Sequence, residues 1–474
     1  MASSGPAGRP TMLFPMSWLA AILKTPGHPL WATAWGFGPR LLLALKLLIL
    51  ARMLGPEGIA VVVALAVGLA ILESLTDTGL SAAVIQRAKP PTKGQYQAAT
   101  RWTLARGLLI AVILLGLSPL FAHHLAIPVD IAALVALVPL LRGLGGVQVA
   151  RWQRHCRFRR LCLFQNAVTL VDLGLAVAGA VLAGPAGVLI GVVLFELIQA
   201  MAAQLVLGRT YGRACDWSLL RSSVAYGGWL WATNVLVVIV NQVDKALAGV
   251  LVGKAALGEL QVMQRIGQLG IVDTLLPLTG WTFPSVAAAL RRQDPGLPEF
   301  VRGLHAVMIR LAASAATCMI VLAPLVVPRL LGEQWRQATT LTVPIALGMA
   351  LGAWIALLVS LLKASGHTAA ITGATGIQAA VFLGVTLLVT PSYGLAGLAW
   401  SGTLGLLTAS FFLASACSRA GLPSYSRMEE AGWAIACVAL AITAPAWPVI
   451  LAPSALLLAL ISAILAVKQL RVRI

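Results

Sequence analysis

Runs of about 20 apolar residues, each closed by a charge, a proline or a glycine, recur along the whole chain and predict about fourteen membrane-spanning helices. They cover 31–51, 58–86, 97–122, 129–150, 159–183, 186–208, 222–251, 256–287, 299–326, 339–363, 368–390, 395–417, 431–446 and 449–467. The first two are joined by Gly55-Pro56-Glu57-Gly58, a turn short enough to make the pair a helical hairpin. Residues 1–30 are rich in Gly, Pro and Ala around one short apolar patch, too short to span, and are expected to form an interfacial or cytoplasmic leader.

Basic residues punctuate this pattern at every second connection. Arg87, Lys89 and Lys93 fall in one; Arg151, Arg154, Arg157, Arg159 and Arg160 in another; Arg209 and Arg213, Arg291 and Arg292, and Arg419 and Arg427 follow, with Lys468, Arg471 and Arg473 at the end. The connections between them are nearly bare, with Lys254, Arg329 and Arg336 the main exceptions. By the positive-inside rule this alternation over an even number of spans places both termini in the cytoplasm.

Composition changes the picture only in confirming the class. The 474 residues are 59% hydrophobic and 10% charged, against roughly a quarter charged in soluble domains, so the chain is an all-α polytopic membrane protein. A net charge of +19 would suggest nucleic acid in a soluble protein; here most of it is topology, and the Arg151–Arg160 run with Trp152 and Phe158 reads as a cytoplasmic anchor facing anionic lipid headgroups. The six cysteines and the histidines His123, His124, His305 and His367 lack metal-ligand spacing and read as core or interfacial residues. No phosphate-binding loop, dinucleotide fingerprint, zinc motif or serine elbow is present. The bare connections are also too short to host a catalytic domain, which argues against a membrane-embedded glycosyltransferase or polymerase.

Charges left inside the spans are the candidate chemistry, because each costs roughly 2.5 to 3.5 kcal/mol in lipid and must face protein or water. Arg265 and Arg310 each lie about ten residues from a helix start, near mid-depth. Lys46, Arg106 and Arg142 lie nearer helix ends and either snorkel or share a cavity. Glu73 and Asp77, spaced i, i+4, share a face; with Asp244 and Asp273 they are either ion-pair partners or coupling and gating acids. Asp244 and Lys245 are neighbours, about 100° apart on a helix, and are expected to find different partners. The halves also repeat in spacing: Lys46 precedes Gly55 as Asp244 precedes Gly253, and Glu73 follows Gly58 as Asp273 follows Gly258. This predicts a lobe at 31–208, a second at 209–417 and a C-terminal pair of helices with a basic tail at 418–474.

The motifs resemble those of a known family. Arg52-Met53-Leu54-Gly55-Pro56-Glu57, Asp77-x-Gly79-Leu80-Ser81 and Arg157-Phe158-Arg159 are similar to the first half of the Wzx-type oligosaccharide flippases, in the multidrug/oligosaccharidyl-lipid/polysaccharide exporter superfamily. In the second half Gly227, Asn241, Asp244, Gly253, Gly258, Gln264-Arg265, Pro284, Gly332-x-x-Trp335, Gly366-His367 and Tyr393-Gly394-x-x-Gly397 continue the likeness, which spans 35–415. It implies a transporter, not an enzyme, moving a polyprenyl diphosphate-linked oligosaccharide across a bacterial inner membrane for O-antigen, capsule or exopolysaccharide synthesis. The alternatives are a lipid II flippase and a drug/cation antiporter of the same superfamily. Two six-helix lobes would enclose a cationic cavity lined by Arg265, Arg310, Lys46, Arg106 and Arg142. H+ or Na+ coupling, a polymerase and a chain-length regulator as partners, no cofactor and no nucleic acid complete the expectation.

Overall fold

The computed structural model describes residues 29–76, 91–154, 158–206, 216, 218, 235–238, 240–423, 460 and 462. Asp77, Gly227, nearly all of the leader, the span expected at 431–446 and all but two residues of that expected at 449–467 lie outside them. Every regular element among the described residues is helical. In order these are α1 (Pro29–Leu75), α2 (Lys93–Leu125), α3 (Val129–Val135), α4 (Val138–Arg154) and α5 (Phe158–Val206). They are followed by α6 (Val235–Val252), α7 (Lys254–Gly267 continued by Thr274–Arg292), α8 (Leu297–Leu331), α9 (Thr342–Ala364) and α10 (Thr368–Arg419). Eight stretches of the described chain are long and apolar enough to cross a membrane.

Three helices are too long for one crossing: α1, α5 and α10 have 47, 49 and 52 residues, about 70 Å or more where a bilayer core is about 30 Å. Each breaks at a glycine with positive φ, Gly55 (φ 69°), Gly184 (φ 58°) and Gly394 (φ 55°), a conformation a Cβ would oppose. Beyond the break α5 folds back on itself, since a methyl group added at Gly187 would lie 2.0 Å from the Gly179 carbonyl oxygen. In α10, Gly405 likewise faces the carbonyl of Gln378. Counting these as hairpins, the eight stretches make eleven passes, and α7, which is not one of the eight, stands where the span 256–287 is expected and makes the twelfth.

The breaks at Gly184 (ψ −139°) and Gly394 (ψ −136°) have nearly the same backbone geometry and occupy equivalent places in the two halves. Gly55 and Gly253 likewise end the first helix of each half. All these breaks gather at one end of the molecule, here termed the turn end; the arginine-bearing helix ends at Arg154, Arg159 and Arg292 mark the other, basic end. At the basic end Thr92 and Gln95 begin α2 with reciprocal side-chain to backbone hydrogen bonds of 3.3 and 2.9 Å, the capping box that a T-x-x-Q sequence favours.

Packing follows the hairpins. The first arm of α1 lies along α5, and its second arm along α2, where Gly68 meets Phe121. Ile59, Val63 and Val67 join Leu260, Met263 and Ile345 in one buried cluster that crosses between the halves. At the turn end Gly258 of α7 touches the Pro56 carbonyl so closely that an added Cβ would stand 2.1 Å away. There too the fully buried Trp335 donates its indole N–H to the Ala51 carbonyl at 3.1 Å. The halves are therefore fastened to each other at this end.

Candidate functional site

A cavity of about 650 Å³ opens between the second arm of α1 and helices α6, α7, α9 and α10. Its depth follows from α7, where Gln264 lies ten residues past Lys254, about 15 Å and so near mid-membrane. The polar wall is made of carboxamides: Asn241 and Gln242 on α6, Gln261, Gln264 and Gln268 on α7, and Gln378 on α10. On α7 the three glutamines are spaced i, i+3, i+7, the pattern of one helix face. Val63, Val67, Met349 and Phe382 complete the lining with apolar surface.

The charges in this wall are Asp244 and Lys245. Contrary to the sequence expectation, the two meet: Lys245 Nζ lies 3.6 Å from Asp244 Oδ1. The lysine stem folds back along its own helix, donating to the Asn241 carbonyl and reaching Gln242 Oε1 at 3.5 Å. That flexible reach overcomes the 100° between neighbouring Cβ directions. Asp244 Oδ2 accepts from Gln264 Nε2 at 2.5 Å, tying α6 to α7. A carboxamide donates and accepts at once, so this wall can satisfy hydroxyl groups in either sense.

The basic residues expected to line a single cationic cavity do not converge on this one. Lys46 is paired with buried Asp172 at 2.6 Å, fixing α1 to α5. Arg142 stands between two carboxylates, with Nε 2.7 Å from Glu196 and Nη1 3.1 Å from Glu73. Arg106 donates to the Thr76 hydroxyl and to the Glu73 carbonyl, each at 3.1 Å. Arg310 is half-buried midway along α8 and is not among the lining residues. The physical reason is cost: a charge within hydrocarbon is most cheaply accommodated by an opposite charge on the neighbouring helix, and the first half supplies Glu73, Asp172 and Glu196 for that purpose.

Arg265 comes nearest to the expected role. Its Nη1 donates to Gln268 Oε1 at 3.3 Å, immediately behind the cavity wall, and its Nη2 donates to the Arg40 carbonyl at 2.6 Å. Arg40 in turn approaches Asp273 at 3.7 Å. These contacts strap α1 to α7 on the basic side of the cavity. Between Arg265 and Asp273 the helix widens into a π-helical stretch, Gln268–Asp273, of the kind that is frequent at functional sites.

Sequence reasoning missed the carboxamide wall. Its signal is the i, i+3, i+7 spacing of Gln261, Gln264 and Gln268 within an otherwise amphipathic segment, which charge alone does not reveal. The histidines behave as expected of core residues where they are buried. His305 accepts from Trp354 Nε1 at 3.1 Å and faces the Pro423 carbonyl at 3.1 Å through Nε2, which assigns it the Nε2–H tautomer. Among the described residues no group of three or more His, Cys, Asp or Glu side chains is placed to hold a metal ion.

The fold is shared with solved transporters. The lipid II flippase MurJ in an inward closed conformation aligns with TM-score 0.68 at 10% identity, covering 94% of this chain and 100% of that one. An inward-facing multidrug resistance MATE family transporter of the MOP superfamily aligns at 0.65 with 17% identity, over 82% and 98% of the two chains. A MOP superfamily transporter from Pyrococcus furiosus aligns at 0.52 with 15% identity, over 82% and 94%. No curated protein matches the sequence. The family model for polysaccharide biosynthesis proteins matches residues 49–340, from the end of the first arm of α1 to the link before α9, and the chain belongs to that family.

Proposed function

We propose that this protein is a flippase that carries a polyprenyl diphosphate-linked oligosaccharide across the bacterial cytoplasmic membrane, from the cytoplasmic to the outer leaflet. The observation that carries the reading is the carboxamide wall at mid-membrane depth. Asn241, Gln242, Gln261, Gln264, Gln268 and Gln378 suit a polyhydroxylated cargo, and each neutral hydrogen bond to a sugar contributes about 0.5 to 1.5 kcal/mol net. A drug/cation antiporter would be better served by an acidic wall, whereas here Asp244 is already neutralised by Lys245.

In this reading the sugar occupies the cavity and the polyprenyl tail stays in lipid. Lys245, and Arg265 once it exchanges the Arg40 carbonyl for phosphate, take the diphosphate. With both termini cytoplasmic, the basic end faces the cytoplasm. A diphosphate with about two negative charges then gains on the order of 4 to 5 kcal/mol on leaving a cell interior 100 mV negative. Asp244 and Asp273, each beside a basic group, are the acids through which H+ or Na+ coupling would act. A polymerase and a chain-length regulator would receive the product.

The test is deletion of the gene and chemical analysis of the lipid-linked pool. Loss of surface polysaccharide with accumulation of its lipid-linked repeat unit on the cytoplasmic side is expected. Restoration should follow from the wild type and not from a Gln264→Leu, Gln378→Leu double variant at equal abundance. Accumulation of lipid II instead would select the lipid II reading, and altered drug sensitivity with normal polysaccharide would select the antiporter.

A further inference from the structure

The turn end holds a second pocket, of about 580 Å³, within the roughly 300–1,000 Å³ range of small-ligand sites. Four separate parts of the chain build it. Glu57 comes from the turn of α1, Lys254 and Glu259 from the start of α7, Gln337 and Thr340 from the link between α8 and α9, and Tyr393 from the break in α10. Five of these stand at the exposed rim, Tyr393 being 72% exposed, and Glu259 is only 7% exposed. Glu259 lines the pocket, and no hydrogen-bond or ion-pair partner for its carboxylate is found among the described residues.

The Glu259 side chain is largely buried with its carboxylate oxygens at the pocket surface, and, with no partner among the described residues, they are met by what fills the pocket, water or the donors of a ligand. Chemistry narrows what that is. An apolar ligand would leave the carboxylate stranded. An anion is disfavoured by Glu57 and Glu259 against Lys254 alone. A divalent cation would compete with Lys254, and among the described residues no cluster of three metal-binding side chains exists. What fits is a neutral molecule with many hydroxyl donors and one flat apolar face: the acids, Gln337 and Thr340 hydrogen-bond the hydroxyls while the Tyr393 ring lies against the C–H face.

We propose that this pocket is a glycan subsite on the turn end, holding sugar units after they have left the membrane, with Glu259 accepting hydroxyls and Tyr393 stacking on a ring. It rests on the transport reading above for the identity of the cargo. Because Glu57 belongs to the first half and the other lining groups to the second, the pocket is complete only while the halves meet at this end. A bound sugar therefore favours that arrangement, as any ligand selective for one state does.

The experiment uses the full chain in lipid nanodiscs. The probe is the oligosaccharide mixture released by partial acid hydrolysis of the polysaccharide that the host secretes, read by saturation-transfer NMR. Transfer to the sugar is expected in the wild type and in Tyr393→Phe. Tyr393→Ala and Glu259→Leu should each weaken binding about tenfold, the loss of one stacking or charge-assisted contact. Glu259→Leu should at the same time raise Tm, since it removes a buried charge without a partner; a lower Tm would mark a structural carboxylate and overturn the proposal. Transfer unchanged in both variants would overturn it, as would Ca2+ raising Tm through Glu57 and Glu259 with no sugar bound. If the wild type shows no transfer yet still flips the lipid-linked repeat unit in proteoliposomes, the subsite falls and the transport reading stands; if neither occurs, the transport reading falls too.

Discussion

Arg142 illustrates how the first half handles charge. Its guanidinium serves Glu196, whose side chain is 4% exposed, and Glu73 together, so removing it strands two carboxylates. Arg142→Met is expected to reduce folded protein, chiefly because it leaves the buried Glu196 carboxylate without its charged partner. Adding Glu196→Gln should restore much of the lost abundance, which immunoblotting of membranes measures. If the double variant is no better than the single one, the arginine acts other than by neutralising Glu196. Arg265 is expected to respond differently, because its contacts join two elements that must separate for transport. Arg265→Ala should abolish export at matched abundance, whereas Arg265→Lys, which keeps the charge but loses the fork that spans Gln268 and the Arg40 carbonyl, should retain part of it. Equal export by all three proteins would remove Arg265 from the mechanism.

Among the elements, α7 carries most of the functional argument. It touches α1 at the turn end through Gly258, presents the glutamine face to the cavity, and widens at Gln268–Asp273 before the Arg40 strap. Gly258→Val should force the α1 turn and α7 apart, since even a Cβ would stand 2.1 Å from a backbone oxygen that has no room to yield. A spin-label pair across the turn end is expected to report a longer distance than in the wild type, and an unchanged distance would count against this contact as a fastening. The π-helical stretch invites a deletion. An added Cβ at Gly270 would meet nothing within 4 Å, so removing this residue should convert the stretch to α-helix with little loss of packing. Because a π-helical turn takes up one extra residue, the deletion should leave Thr274 and all that follows on nearly the same face relative to Gln264 and remove only the widened turn behind the cavity wall. Normal abundance with lost export is the expected result.

For the molecule as a whole, the alternation of basic connections and the twelve passes of the described chain make one prediction about orientation. A cysteine placed beside Arg154 should react with impermeant reagents only from the cytoplasmic side, and one at Ser392 only from outside. Reactivity of both from the same side would contradict the passes at α4, α5 and α10. The two-lobed plan also explains where hydrophobic burial is concentrated. The large cluster running from Leu50 to Leu422 lies mostly in the second half but takes in α1 and α5. Separating the halves at the turn end therefore exposes only part of a core that otherwise stays intact.

Much of this was legible in the chain itself. Apolar length and glycine or proline breaks determined the helices and hairpins, because a bilayer tolerates a spanning segment only if its backbone is hydrogen-bonded within the helix. The pairing of recurring turns at Gly55 and Gly253 followed from spacing alone. Which charge met which did not. Lys46 found Asp172 rather than Glu73 or Asp77, and Arg142 was shared between Glu73 and Glu196, because a long side chain can reach any of several helices and the choice depends on neighbours distant in sequence. For the same reason the sequence pointed to basic residues as the cavity lining, while packing turned Lys46 and Arg142 toward carboxylates and Arg106 toward a hydroxyl and a backbone carbonyl, and left the carboxamides of α6, α7 and α10 facing the space between the lobes. Periodicity determines the face a residue occupies on its own helix; only the tertiary arrangement decides whether that face meets lipid, another helix or a cavity.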